Sequence, residues 1–210
     1  MAGAPVAPVV VERVGVFGGA FDPPHWAHRA LAEAALAVLQ LDRLHILPTG
    51  LAWHKFRTLS DATHRLAMCR LAFDDLPAVR VDDREIRRAS ATYTVDTLEE
   101  LRAEYPVARL FLLIGEDQLA AFKRWRRWQD VLSMATLVVA ARADRDGVTD
   151  LKASPDLPFQ RLDQPLSPLS STEIRALAAA GAQGYETLAA LVPEAVASYI
   201  SLHSLYQQPS

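Results

Sequence analysis

Residues 15–36 read GVFGGAFDPPHWAHRALAEAAL, and they set two glycines, two prolines and two histidines between an apolar run and a helix-periodic segment. Gly18 and Gly19 end the run without side chains, so an anionic ligand can approach the backbone there and at the N-terminus of the helix that starts near Trp26. The spacing is neither G-x-G-x-x-G nor G-x-x-x-x-G-K-[ST], which sets aside the usual dinucleotide and P-loop readings. Pro23 and Pro24 fix the turn and preset φ for helix entry, and His25 and His28, three apart, fall on one face of the first turn. Two imidazoles so placed suit hydrogen bonding to a phosphorus centre whose oxygens gain charge during reaction, without a covalent intermediate. A metal site would need a third ligand, and H-E-x-x-H is absent.

A second cluster lies far along the chain in LSSTEIR, residues 169–175. Ser170, Ser171 or Thr172 can cap a helix whose unpaired N–H groups face an anion, and Arg175, one turn in, adds a fork of donors suited to phosphate. In isolation this is an ordinary capping pattern, with its acid at Glu173. Paired with the first cluster it becomes a phosphate clamp.

The elements that must position these residues follow from hydrophobic patterning. The chain has 210 residues, half of them hydrophobic and 22% charged, enough to bury a core in one domain. Short apolar runs at 13–17, 43–48, 79–83, 109–115 and 136–141 predict strands, mostly too continuously apolar to have a wet face. Between them, residues 26–40, 61–75, 94–104 and 117–133 carry apolar positions at spacings of three and four and predict helices, the third opening on the acid-bearing turn TVDTLEEL. Strand and helix in alternation imply an α/β fold: a doubly wound parallel sheet, Rossmann-like, with helices on both faces and ligands at the carboxyl ends of its strands. A last helical region spans 170–181 to 193–206.

Residues 1–12 are expected to form a loose tail and residues 13–206 a single domain. The stretch 142–168, with four prolines and many acids, breaks the rhythm and reads as a long surface connection around a short strand near FQRLD. The formal charge of −3 argues against a surface built wholly for nucleic-acid backbones. The one cysteine, Cys69, lies in an apolar helical pattern and reads as a packed thiol. No run approaches the roughly 20 apolar residues of a membrane span, and the opening lacks the cationic start of a secretory signal. A cytoplasmic protein is expected.

GGAFDPPHWAH resembles the G-G-[ST]-F-D-P-x-H-x-G-H signature of the HxGH nucleotidyltransferases, and LSSTEIR resembles their second signature, I-S-S-T-x-I-R. HK at 54–55, ATYTVDTLEEL at 91–101 and LLIGEDQL at 112–119, with Trp125 downstream, are similar to the bacterial nicotinate-nucleotide adenylyltransferases. That resemblance implies ATP and nicotinate mononucleotide as substrates, with deamido-NAD and pyrophosphate as products and Mg²⁺ bridging the phosphates. It implies catalytic roles for His25, His28 and Arg175. It implies ATP contacts from Gly18, Gly19, Ala20, Phe21, His25, His28, Gly115, Asp117, Ser171, Thr172 and Arg175. Lys55, Thr92, Tyr93, Thr94 and Trp125 would meet the nicotinate mononucleotide, Trp125 by stacking on the pyridine ring. No protein ligand to the metal, no nucleic acid and no membrane are implied; a homo-oligomer is compatible.

Departures accompany the matches. Ala20 replaces a hydroxyl residue and Ala27 the glycine between the histidines; both are small, so the backbone approach is expected to survive. Trp53, in GLAWHK, and Arg126, after Trp125, depart on the nicotinate side. Nicotinamide mononucleotide adenylyltransferase, phosphopantetheine adenylyltransferase and a cytidylyltransferase are the nearer alternatives. FKRWRRWQD, with interleaved cations and tryptophans, supports a rival of another class, a single-stranded nucleic-acid-binding protein. Its bland alternative is a helix with solvated arginines on one face and packed tryptophans on the other.

Overall fold

The computed structural model describes residues 11–51, 59–88, 90–142, 157–164, 169–180 and 182–207. Its strands are β1 (Arg13–Gly19), β2 (Arg43–Pro48), β3 (Val79–Val81), β4 (Arg109–Gly115), β5 (Ala135–Arg142) and β6 (Gln160–Gln164). The helices are α1 (Trp26–Val38), α2 (Ala62–Phe73), α3 (Arg84–Arg87), α4 (Thr94–Glu104), α5 (Glu116–Ala121), α6 (Trp128–Met134), α7 (Ser171–Ala179), α8 (Ala182–Leu191) and α9 (Glu194–Leu202). All six strands pair in parallel in the order β3-β2-β1-β4-β5-β6. The α/β, doubly wound Rossmann-like sheet expected from the sequence is the observed fold.

Two apolar layers explain why the strands read as continuous hydrophobic runs. Along β4, Leu110, Leu112 and Ile114 enter the layer under α4 and α6, while Phe111 and Leu113 enter the layer under α1, α2 and the C-terminal helices. With period two and helices on both faces, every position is apolar. Cys69 is fully buried in the second layer, where burial pushes its thiol above the ordinary range. It packs as the pattern predicts.

The order reverses between β1 and β4, which lie side by side, so the chain leaves them toward opposite edges. Their carboxyl ends, Gly18–Gly19 and Gly115, therefore flank the crevice where such sheets take ligands.

Three corrections to the sequence reading matter. Residues 117–133 are not one helix: α5 runs into a short 3₁₀ turn at Phe122–Arg124, Trp125 is extended, and Arg127 is left-handed at φ 52° before α6 begins. Trp125 and Trp128 both pack on Phe122, with ring centroids 5.1 and 6.5 Å away. A one-turn helix, α3, lies in the stretch expected to be a connection, and the expected last helical region divides into α7, α8 and α9. The strand near FQRLD exists as β6, whereas 143–156 and 165–168 lie outside the described residues, as does most of the expected tail.

Candidate active site

A cavity of about 600 Å³ opens at the carboxyl ends of β1 and β4. Its walls come from the β1–α1 turn, from β4 and the start of α5, from the N-terminus of α4, and from the N-terminus of α7.

His25 is the N-cap of α1 and His28 its third residue. Their rings lie 3.8 Å apart at 31°, nearly stacked, and both line the cavity. The backbone N–H of His25 donates to Nδ1 of His28 at 3.2 Å. A backbone N–H can only donate, so a neutral His28 carries its proton on Nε2. Phe21, one of the residues assigned to ATP by resemblance, does not line the cavity. It is 1% exposed and sets its ring edge-on to His28, with centroids 5.0 Å apart, as a prop beneath the imidazole. Gly18, Gly19, Ala20 and Ala27 line the cavity. A Cβ on Gly18 would meet nothing closer than the Leu47 carbonyl at 4.0 Å, so this stretch of backbone is open to a ligand.

Asp22 is the buried hub of the histidine turn, in which the Asp22–Pro23 peptide is cis. Its carboxylate accepts from the Ser60 N–H at 3.2 Å and the Tyr206 hydroxyl at 2.9 Å, and its carbonyl accepts from the Arg175 guanidinium at 2.7 Å. Burial and the Asp22 charge push the Tyr206 phenol upward, so it donates as a neutral hydroxyl at ordinary pH.

The second motif closes on the first. Ser170 is the N-cap of α7 and accepts from the Glu173 N–H at 3.3 Å, so of the three hydroxyl residues only Ser170 takes the cap. Ser171 instead donates to the Pro23 carbonyl at 3.1 Å and lines the cavity. Arg175 spans Asp22 and the Thr172 hydroxyl, the latter at 3.0 Å; neither Arg175 nor Thr172 is among the cavity-lining residues. Two helix N-termini, α1 and α7, thus converge on one space, each with its positive dipole end and N–H groups toward it.

On the opposite wall Thr92, Tyr93 and Thr94 line the cavity at the start of α4, and Trp125 and Arg126 face them from the broken helix. Gly115 leaves room for the Asp117 carboxylate to fold back: a Cβ there would lie 2.8 Å from Asp117 Oδ1, and Asp117 Oδ2 accepts from Gln118. Lys55 and Trp53 lie outside the described residues. Among the described residues no group of three or more His, Cys, Asp or Glu could hold a metal, and no helix is long and apolar enough to cross a membrane.

Two residues in or behind this wall, Glu85 and Gly50, escaped the sequence reading. Gly50 brings the chain after β2 against α3: a Cβ would fall 2.1 Å from the Glu85 carbonyl oxygen and 3.0 Å from the Thr92 hydroxyl. The Glu85 carbonyl is backbone and cannot swing aside, so Gly50→Ala should cost about 2 kcal/mol, as overpacking does. A thermal melt is expected to show a drop of about 6 °C. An unchanged melting temperature would mean that the contact yields freely.

Glu85 is 6% exposed, lines the cavity and accepts from the Thr97 hydroxyl at 2.9 Å. Burial pushes its carboxyl up to about 7, with Asp82 and Glu100 adding to the rise; the Thr97 bond and the Arg88 charge oppose it. Below the unfolded carboxyl's titration both states hold the proton, so the effect on stability is nil. From there to about pH 7 the native state keeps a proton that the unfolded chain has lost, and stability falls as pH rises. The full loss is on the order of 3 kcal/mol. Glu85→Gln keeps the acceptor for Thr97 and removes the titration. Its melting temperature should decline less than the native protein's between pH 5 and 8; parallel declines would deny Glu85 this role.

The model of the cytidylyltransferase-like family matches residues 16–177. A probable nicotinate-nucleotide adenylyltransferase of Albidiferax ferrireducens is 52% identical over 200 residues, spanning 94% of this chain and 99% of that relative. One from Methylibium petroleiphilum is 40% identical over 202 residues, spanning 94% of each. In fold, the chain is similar to Plasmodium falciparum nicotinic acid mononucleotide adenylyltransferase complexed with NaAD, with a TM-score of 0.74 at 17% identity over 93% of this chain and 97% of that one.

Proposed function

Since the chain belongs to the nicotinate-nucleotide adenylyltransferases of the cytidylyltransferase-like family, we propose that the cavity between β1 and β4 is where it works. The enzyme transfers the adenylyl group of ATP to nicotinate mononucleotide, giving deamido-NAD and pyrophosphate in NAD biosynthesis. The observation that carries the site assignment is the meeting of the stacked His25–His28 pair with the N-terminus of α7 in one crevice.

In this reading a phosphate oxygen of the mononucleotide attacks the α-phosphorus of ATP in line. The bond from that phosphorus to the oxygen bridging the β-phosphorus breaks, and pyrophosphate leaves with the bonding pair. No protein nucleophile is needed; the chain supplies position and charge. The Nε2–H of His28, its tautomer set by the His25 N–H, donates to an oxygen that gains charge as the transfer proceeds. His25 and the N–H groups opening α1 hold the triphosphate across Gly18 and Gly19. Ser171 and the N-terminus of α7 receive the β- and γ-phosphates. Arg175 acts on the same end of ATP by fixing the Asp22 carbonyl and Thr172, and so the turn that carries the histidines. Gly115 and Asp117 take the adenosine side; Thr92, Tyr93, Thr94 and Trp125 take the pyridine.

Mg²⁺ fits this donor set as a metal that travels on ATP. The carboxylate inside the histidine turn, Asp22, already accepts from Ser60 and Tyr206, and an ion carried in on ATP would be held by the triphosphate. Such an ion would neutralise phosphate charge.

Pyrophosphate release by the purified protein with ATP and Mg²⁺ tests the reading, with nicotinate mononucleotide, nicotinamide mononucleotide and phosphopantetheine offered in parallel. Strong preference for the nicotinate substrate is expected. Release with another acceptor would keep the chemistry and move the substrate, and release with none would overturn the assignment. The nucleic-acid reading of FKRWRRWQD loses ground on geometry, because both tryptophans pack on Phe122 and Arg127 pairs with Glu99 and Asp130.

A further inference from the structure

Arg126 and Arg127 are adjacent, exposed and chemically identical, yet they are used differently. Arg127 is spent on ion pairs, with Glu99 at 2.8 Å and Asp130 at 2.6 Å. Arg126 has no carboxylate partner among the described residues. Its guanidinium carbon instead sits 4.6 Å from the centroid of the Tyr93 ring, and the residue lines the cavity. The cause is the backbone. With Trp125 extended and Arg127 left-handed, the chain turns between them and sends the two side chains to different neighbours.

A guanidinium laid on an aromatic face keeps its in-plane N–H donors for something else, and stacking limits the entropy lost when they engage. What those donors suit is a planar carboxylate, which a guanidinium grips with two parallel hydrogen bonds. The wall beneath agrees. The Thr92 hydroxyl is buried without a hydrogen-bond partner among the described residues, and it opens onto the same cavity as Tyr93, Thr94 and Trp125. An anion docked here would find one fixed cation and one waiting hydroxyl.

Resting on the adenylyl-transfer reading above, we propose that Arg126 is a specificity-determining residue that pairs with the ring carboxylate of the nicotinate substrate and so selects the acid over the amide. The amide has the same ring, ribose and phosphate but carries no charge at that position, so it gains nothing from the guanidinium beyond a neutral contact. The contribution belongs to this chain's own side chain at a rim position.

Steady-state kinetics with both mononucleotides, on the native protein and on Arg126→Gln and Arg126→Lys, test this. Arg126→Gln should raise KM for nicotinate mononucleotide about tenfold and spare nicotinamide mononucleotide, so the acid-to-amide ratio of kcat/KM falls about tenfold. Arg126→Lys, which keeps the charge but not the fork, should recover part of that ratio. The native preference should also shrink as ionic strength rises, because a rim pair is screened. Equal losses for the two substrates would overturn the proposal and move Arg126 to the phosphate that both share. An unchanged ratio would overturn it as well. A native protein that turns over neither mononucleotide would instead sink the adenylyl-transfer reading, and this inference with it.

Discussion

Replacing His28 with alanine is expected to lower kcat at least about 100-fold, the usual cost of losing one preorganised donor to a charge-developing centre. The size of the effect follows from preorganisation. The ring is held on three sides: His25 stacks on it, Phe21 meets its face edge-on, and the His25 N–H occupies Nδ1. Its remaining nitrogen therefore points a fixed proton without a reorganisation cost at the moment of transfer. Stability should change far less than turnover, since His28 is only partly buried and its supports are covalently independent of it. Single-turnover measurement separates the outcomes. A slow chemical step with normal substrate binding supports the role, whereas near-normal turnover removes His28 from catalysis.

The second large effect is expected at Arg175. Its truncation to alanine deletes a charged hydrogen bond to the Asp22 carbonyl and another to Thr172, in a turn where the carbonyl is buried. Hydrogen bonds to charged groups contribute about 1.5–3 kcal/mol, so kcat/KM for ATP should fall about 10- to 100-fold. KM for the mononucleotide should hold, because the pyridine wall is built from the start of α4 and Trp125 rather than from α7. Arg175→Lys should recover little, since a single ammonium cannot span both acceptors. Unchanged kinetics toward ATP would refute the clamp.

How much of this was legible beforehand differs by residue. The strands were legible because burial on both faces leaves uninterrupted apolar runs, and the two motifs because glycine, proline and histidine at fixed offsets have few bland explanations. The break at 125–127 was not. No glycine or proline marks it, and the apolar period continues through it, so nothing in the pattern announces the left-handed Arg127 that separates α5 from α6. Glu85 hides in the charge-rich stretch DDREIRR, which reads as solvated surface, and only the close approach at Gly50 and the bond from Thr97 reveal it as buried. Arg175 was read as a donor to phosphate; that its fork reaches a carbonyl 153 residues earlier has no local signature. Arg126 stood out as a departure from resemblance, but its separation from Arg127 needed the turn itself.

The hydroxyl of Tyr206 reaches back 184 positions to the Asp22 carboxylate. During synthesis at roughly 5–20 residues per second, the histidine turn is therefore made about 10–40 s before this hydroxyl. A nascent chain therefore carries both histidines before it carries the hydroxyl that braces the turn beneath them.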